Sequence, residues 1–442
     1  MAHAEIKTDY KTFKGGIHPP YNKELANSKP IEAAPVPAKV IIPLSQHIGA
    51  PNQALVAAGD RVEAGQKIGG TDAFVSAPVH SSVSGKVLEV TEMANFTGAR
   101  VPCVVIEPDS EQIPFKARDT KPLDSLTAEE IREIAKEAGL VGMGGAAFPT
   151  HVKLAPPKDK AVDIVLINAC ECEPFLTCDH RVMLERPADL VAGLRLLMKA
   201  VGATRGVIGI EANKPDAIEA VRKVAGDIEV ASLPVKYPEG AEKMLISVVT
   251  GRKVPPGKLP SEVGALVQNV GTAVALYDAA ATGKPLFERV LTVTGPGIKS
   301  PKNLLAKIGT PLSTLIEAAG GFVGTPARLI CGGPMTGWAQ ENLDAPIQKG
   351  TSGMVALTEE LIRWTDEEEC VRCGKCVEAC PMYLMPNYIV QATKRKQWGE
   401  AEKWGALDCF ECGCCSFACP SVISHVKYVR KAKAEIAALK KK

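Results

Sequence analysis

Aromatic residues make up only 5% of this 442-residue chain. Surfaces that hold single-stranded nucleic acid stack bases on aromatic rings, so that class of partner is excluded. An excess of one charge is missing too, since the formal net charge is +2. No broad basic face follows from that balance. No run of about 18 uninterrupted apolar residues occurs, so no segment is expected to span a bilayer. The stretch 1–13 lacks the apolar centre of a signal peptide, which predicts a reducing compartment for the 14 cysteines and no disulfide framework. Apolar residues still reach 46%, enough for real cores, and the length predicts three or four domains.

What the chain does have is sulfur in two ordered runs. Cys370, Cys373, Cys376 and Cys380 precede Pro381; Cys409, Cys412, Cys415 and Cys419 precede Pro420. Each run reads C-x₂-C-x₂-C-x₃-C-P, the ligand spacing of a bacterial two-cluster ferredoxin. In that arrangement a tight loop supplies three thiolates to one cube, and the fourth ligates the other cube. Cys370, Cys373, Cys376 and Cys419 are therefore expected on one [4Fe–4S] cluster. Cys409, Cys412, Cys415 and Cys380 are expected on the second. Zinc favours two pairs of ligands at longer separation, which these runs do not offer. Cys414 is expected to be a bystander, because Cys415 keeps the spacing.

Composition shifts divide the rest. Residues 1–35 are rich in Pro, Lys and Gly and read as an extended segment lying over a neighbouring surface. Residues 36–110 read as a small lipoyl/biotinyl-like β-sandwich, punctuated at Gly59-Asp60, Gly65-Gln66 and Gly69-Gly70. The expected hairpin tip, Thr71-Asp72-Ala73-Phe74, has no lysine to modify, so a docking module is expected and not a cofactor carrier. Residues 120–285 alternate helix (126–138, 181–201, 216–224) with strand (163–167, 206–211), the pattern of an α/β domain. Residues 286–345 read as a β-grasp, SLBB-like module with a strand at 290–293 and a helix at 312–318. The cysteine runs form an internal repeat in 357–425. A basic tail, 426–442, carries Arg430, Lys431 and Lys433. It reads as a solvated helix end, with docking on a partner or on anionic lipid as the alternative. The expected fold class is thus multidomain α/β and α+β.

The stretch 139–150 contains Gly139, Gly142, Gly144 and Gly145, whose backbone amides are suited to cradling an anion. It formally matches a dinucleotide fingerprint, but a helix precedes it where a strand should, so that simple reading fails. Three further stretches accompany it: Asn168-Ala169-Cys170-Glu171-Cys172-Glu173-Pro174, Tyr237-Pro238-Glu239-Gly240-Ala241-Glu242, and Gln268-Asn269-Val270-Gly271-Thr272. Together, over 125–345, they resemble the flavin-binding subunit of respiratory complex I and its hydrogenase and formate dehydrogenase relatives. The resemblance implies non-covalent FMN with a nicotinamide nucleotide stacked on it. It implies that Gly142, Gly144, Gly145 and Lys153 contact the FMN phosphate and ribityl, and that Asn168, Glu171, Tyr237, Gly240, Asn269 and Thr272 complete the pocket. Glu173 and Glu242 would face NAD(H). The chain departs from that pattern at Cys170 and Cys172, where Asp and Ser are usual, and at Ala241 and Gly271, where acidic residues are usual. Cys170, Cys172 and Cys178 are too tightly spaced for an ordinary further metal site.

The module order, with the opening Phe13-Lys14-Gly15-Gly16-Ile17-His18-Pro19-Pro20-Tyr21-Asn22-Lys23, resembles the C subunits of Rnf ion-translocating complexes over essentially the whole chain. The resemblance implies a peripheral subunit at the cytoplasmic face of the cell membrane, in a complex that moves electrons between ferredoxin and NAD coupled to Na⁺ or H⁺ transport. Implied partners are a ferredoxin-like iron–sulfur subunit and integral membrane subunits. Flavin joins two-electron hydride chemistry to one-electron clusters, and no acid–base triad is expected. Two rivals share the pattern: a cobalamin reductase of diol-degrading microcompartments, and a non-catalytic iron–sulfur scaffold.

Overall fold

The computed structural model describes residues 8–157, 159–362 and 366–440. Near the start, an antiparallel sheet ordered Val40–Pro43, Arg100–Pro108, Gly85–Ala94, Arg61–Val62 faces a second one ordered Gln53–Ala54, Lys67–Gly70, Val79–His80. Val40, Ile42, Ile68, Val87, Val104 and Ile106 fill the space between them. β-Branched side chains pack well on such pleated surfaces.

The next unit is a parallel sheet ordered Glu229–Leu233, Arg205–Glu211, Ile164–Ala169, Ala265–Asn269. Helices Pro187–Val201 and Val270–Thr282 bury one face of it and Glu242–Thr250 the other. Its central strands read as continuous apolar runs because both faces are covered. Helix Ala128–Glu137 leads in, started by a capping box between Thr127 and Glu130. The expected single helix over 181–201 is two, Cys178–Glu185 and Pro187–Val201. Pro187 cannot donate to the preceding turn, so it begins a new helix.

The grasp module extends past 345. Its sheet is ordered Ile31–Ala33, Lys302–Lys307, Glu288–Thr294, Gly353–Leu357, Arg328–Cys331, Trp338–Gln340. The strand Gly353–Leu357 lies at its centre, parallel to Glu288–Thr294, and Ile31–Ala33 from the N-terminal segment forms one edge. Strand pairing across such separations has no local mark in the sequence.

The basic tail is also different from expectation. Residues His425–Lys440 form a helix packed on Pro386–Lys394 and Trp398–Lys403, with Val429, Ala432 and Ile436 fully buried. Those three recur at the spacing of one helix face, a stripe hidden among lysines. Arg430 and Lys433 both bond the Glu411 carboxylate at 2.7 Å, and Lys433 Nζ donates to Cys409 O at 2.6 Å. Among the described residues, no helix is long and apolar enough to cross a membrane.

Candidate functional site

In the parallel sheet, successive strands step from Ile164–Ala169 to one edge, then the chain returns to its other side at Ala265–Asn269. That reversal opens a crevice at the carboxyl ends of these two strands, the usual ligand position in open α/β sheets. Asn168 and Asn269 are register partners there. Asn168 Nδ2 donates to Gly240 O at 2.7 Å, and a Cβ on Gly240 would lie 3.0 Å from Asn168 Oδ1. Asn269 caps helix Val270–Thr282, its Oδ1 accepting from Gly271 N at 2.8 Å.

The glycine-rich loop folds over this crevice. Thr272 Oγ1 accepts from Met143 N at 3.0 Å and donates to Val141 O at 3.1 Å. A Cβ on Gly144 would come within 2.7 Å of Asn269 Nδ2. The amides of Gly144, Gly145, Ala146 and Ala147 meet no acceptor among the described residues, and Ala147 is left-handed (φ 53°). An exposed run of unpaired amides with one left-handed residue is an anion nest. These residues therefore fit a phosphate-bearing flavin, on their own geometry.

Glu171, Glu173, Lys153 and Tyr237 have more particular surroundings. The Glu171 carboxylate accepts from Asp179 N at 2.7 Å and His180 N at 3.2 Å, capping helix Cys178–Glu185. Asp179 was not singled out by the sequence. Its carboxyl, bonded by Asn269 Nδ2 at 2.6 Å, is pushed up to about 7 by burial and then by the Glu171 charge. Glu171, Cys178 and Asp179 lie within 4.8 Å of one another, without Cys170 or Cys172. Burial holds the Cys178 thiol well above its ordinary value. Lys153 Nζ donates to Glu242 Oε1 at 2.8 Å and Val267 O at 3.1 Å. Glu173 turns toward the grasp module, where Met335 N (3.0 Å) and Thr336 Oγ1 donate to it.

Tyr237 reaches the cysteine loops. It is buried, its hydroxyl donates to Cys412 O at 2.8 Å, and its carbonyl lies 4.0 Å from Cys414 Sγ. Cys414 is thus packed at a domain junction. The two cysteine loops coil alike: Arg372 and Gly374 in one, Glu411 and Gly413 in the other, are left-handed. Cys370, Cys373, Cys376 and Cys419 line one cavity; Cys380, Cys409, Cys412 and Cys415 line another, with Cys414 beside them. None of the 14 cysteines is paired in a disulfide. A tetrahedral zinc site with Zn–S of about 2.3 Å would bring thiols within about 4 Å of each other. Among the described residues, these eight form no group that close. Cavities that each hold four separated thiols at ferredoxin spacing, the second with Cys414 as a fifth, suit cubes. The first is the more open, with Cys370 and Cys373 exposed, whereas Cys412 and Cys415 are buried.

Comparison with known proteins agrees with this architecture. Family models match in sequence: RnfC Barrel sandwich hybrid domain (11–111), Nuo51 FMN-binding domain (135–278), SLBB domain (290–339) and 4Fe-4S dicluster domain (363–420). The chain is 48% identical, over 96% of its length and 94% of the relative's, to the C subunit of the proton-translocating ferredoxin:NAD(+) oxidoreductase complex of Clostridium ljungdahlii. It is 47% identical, over 99% and 100%, to the Na(+)-translocating counterpart of Acetobacterium woodii. The C subunit of an ion-translocating oxidoreductase complex of Rhodobacter capsulatus is 39% identical over 85% and 73%. An NAD+-reducing [NiFe]-hydrogenase crystal structure shares the fold, with a TM-score of 0.51 at 19% identity, over 73% of this chain and 67% of that one. The site geometry and these full-length identities lead to one conclusion: this chain belongs to the family of C subunits of Rnf ion-translocating ferredoxin:NAD(+) oxidoreductase complexes.

Proposed function

We propose that this chain is the NAD-reactive electron-transfer subunit of such a complex, peripheral at the cytoplasmic face of the membrane. Bound FMN supplies the exchange between hydride chemistry and single-electron transfer, and two [4Fe–4S] clusters carry the electrons onward. The four unpaired amides 144–147 would hold the flavin phosphate, with Lys153 as the cation beside it. Asn168, Gly240, Asn269 and Thr272 shape the pocket around the ring. Asp179, its carboxyl raised by burial and then by the Glu171 charge, accepts from Asn269 Nδ2 and orients it. Glu171 acts by fixing that helix end. Glu242, bonded by Lys153 Nζ at 2.8 Å, would face NAD(H). Glu173, tied to Met335 and Thr336, serves as a joint with the grasp module more readily than as a nucleotide contact.

The observation that carries this reading is the Tyr237 hydroxyl on Cys412 O. The loop that borders the flavin crevice at Gly240 also touches the second cysteine cavity, so a cluster held there would be the nearer of the two to a bound flavin. Val371, 66% exposed, lines the first, outer cavity, where an iron–sulfur partner subunit docks. The test is anaerobic. The chain is reconstituted with iron, sulfide and FMN and titrated with NADH, with flavin bleaching read optically and clusters by EPR. Bleaching followed by two interacting [4Fe–4S] signals supports the reading. Full iron content without any NADH response overturns it in favour of the scaffold rival.

A further inference from the structure

The stretch around Gly15-Gly16 has no part in the pocket or the cavities, yet its surroundings are dense. We infer that residues 9–33 are a strap that sets the gap between the flavin crevice and the second cysteine cavity, with Gly15 and Gly16 as its positioning residues. This rests on the electron-transfer reading above.

The contacts run in order along the strap. Asp9 N donates to Ser232 O at 2.9 Å, on the edge strand of the parallel sheet. Lys236 Nζ donates to Phe13 O at 2.9 Å and sits over the Phe13 ring. Gly16 N then donates to Ala379 O at 3.0 Å, beside Cys380. Ile17 exchanges both backbone bonds with Tyr237, at 2.9 and 3.0 Å. Lys23 Nζ donates to the carbonyls of Glu171, Glu173 and Leu176. Asn303 Nδ2 donates to Ala26 O and Lys29 O, and Ile31–Ala33 joins the grasp sheet. One segment thus touches the crevice loop, the pocket loop and a cluster-bearing loop in turn.

Gly15 and Gly16 lie between the crevice loop and the cluster-bearing loop. Both are left-handed, at φ 74° and 77°. A Cβ on Gly15 would meet Cys380 O at 2.8 Å, and one on Gly16 would meet Tyr237 O at 2.7 Å. Both obstacles are backbone, which cannot swing aside as a side chain does. Alanine at both positions therefore separates the Ala379–Cys380 turn from the Tyr237 loop. Those are the two elements that carry a cluster ligand and a wall of the crevice. NADH gives up two electrons on becoming NAD⁺ with release of a proton, and each cluster takes one, so the strap governs a step between cofactors and not the hydride exchange.

The full chain, reconstituted with iron, sulfide and FMN, is compared as wild type, Gly15→Ala/Gly16→Ala, and Gly59→Ala. Gly59 is a left-handed glycine with open space around its Cβ position, so it controls for backbone strain alone. Stopped-flow absorbance reads flavin bleaching by NADH, and freeze-quench EPR reads cluster reduction. The double variant is expected to bleach flavin at the wild-type rate and to reduce its clusters several-fold more slowly, because tunnelling falls with the added gap. Gly59→Ala should match wild type in both. Hydrogen exchange on the FMN-free protein should also show lost protection at Gly16 and Ile17. Wild-type cluster reduction in the double variant overturns the inference, and so does equal slowing of flavin bleaching. If the double variant fails to hold iron, Lys236→Met, which unties the strap only at Phe13, is read by the same split. An unresponsive wild type refutes the parent reading instead.

Discussion

Replacing Lys23 with Met should loosen the pocket loop, 171–176, from beneath. Lys23 is 7% exposed, and its ammonium is the shared donor to three carbonyls, at 2.7 Å (Glu171), 3.0 Å (Glu173) and 2.7 Å (Leu176). Met keeps the apolar stem and removes every donor. Glu171 and Glu173 are half-buried, so water can replace the ammonium there, while Leu176 is buried. An unsatisfied buried carbonyl costs about 1–3 kcal/mol, and each lost charge-assisted bond about 1.5–3 kcal/mol. Against this stands the relief of no longer burying an ammonium, which is worth several kcal/mol. Burial and the nearby Lys214 already push the Lys23 amine below its ordinary value, a sign that its charge is held at a cost. The balance leaves a net loss of about 2–4 kcal/mol. Urea unfolding reads the total, and limited proteolysis reads the 171–176 loop. FMN retention on gel filtration should fall in parallel. A variant within about 0.5 kcal/mol of wild type, with its loop still protected and its FMN retained, would refute the assigned role.

Three other outcomes are expected. Tyr237→Phe removes the donor to Cys412 O and should cost about 1–2 kcal/mol, read as faster chelator extraction of iron from the second cavity, with the first unaffected. Deleting 425–442 should abolish stable cluster binding, because Val429 and Ile436 each contribute up to about 1.5–3 kcal/mol of burial and Ala432 about 0.8 kcal/mol; unchanged iron content would restore the dispensable tail. Glu239 is pushed up to about 8 by burial and then by Glu211. Its folded form binds a proton that the unfolded chain has released, so its stabilisation is full below the ordinary carboxylate range and is lost as pH rises through about 8. Glu239→Gln should flatten urea stability over that window by up to about 1.4 kcal/mol per pH unit, and an unchanged slope would refute the assignment.

The sequence by itself determined what depends on near neighbours. Thiolate spacing around a cube is set within about ten residues, so both cysteine runs were legible, as were the loop glycines and the apolar runs of the parallel sheet. What failed to show was everything held by distant partners. The strand Gly353–Leu357 enters the grasp sheet from beyond its expected end. The C-terminal helix hid a stripe of Val429, Ala432 and Ile436 among lysines, because counting charge says nothing about which face is covered. Lys153 and Glu242 each looked free to meet a ligand, yet they pair with one another. Tyr237, expected at the pocket, also reaches another domain, its hydroxyl donating to Cys412 O. Gly15 and Gly16 had no visible reason to be glycine until two carbonyls from other domains closed on them. Local sterics and ligand geometry are written in consecutive residues, whereas the approach of one domain's backbone to another's exists only after the chain has folded.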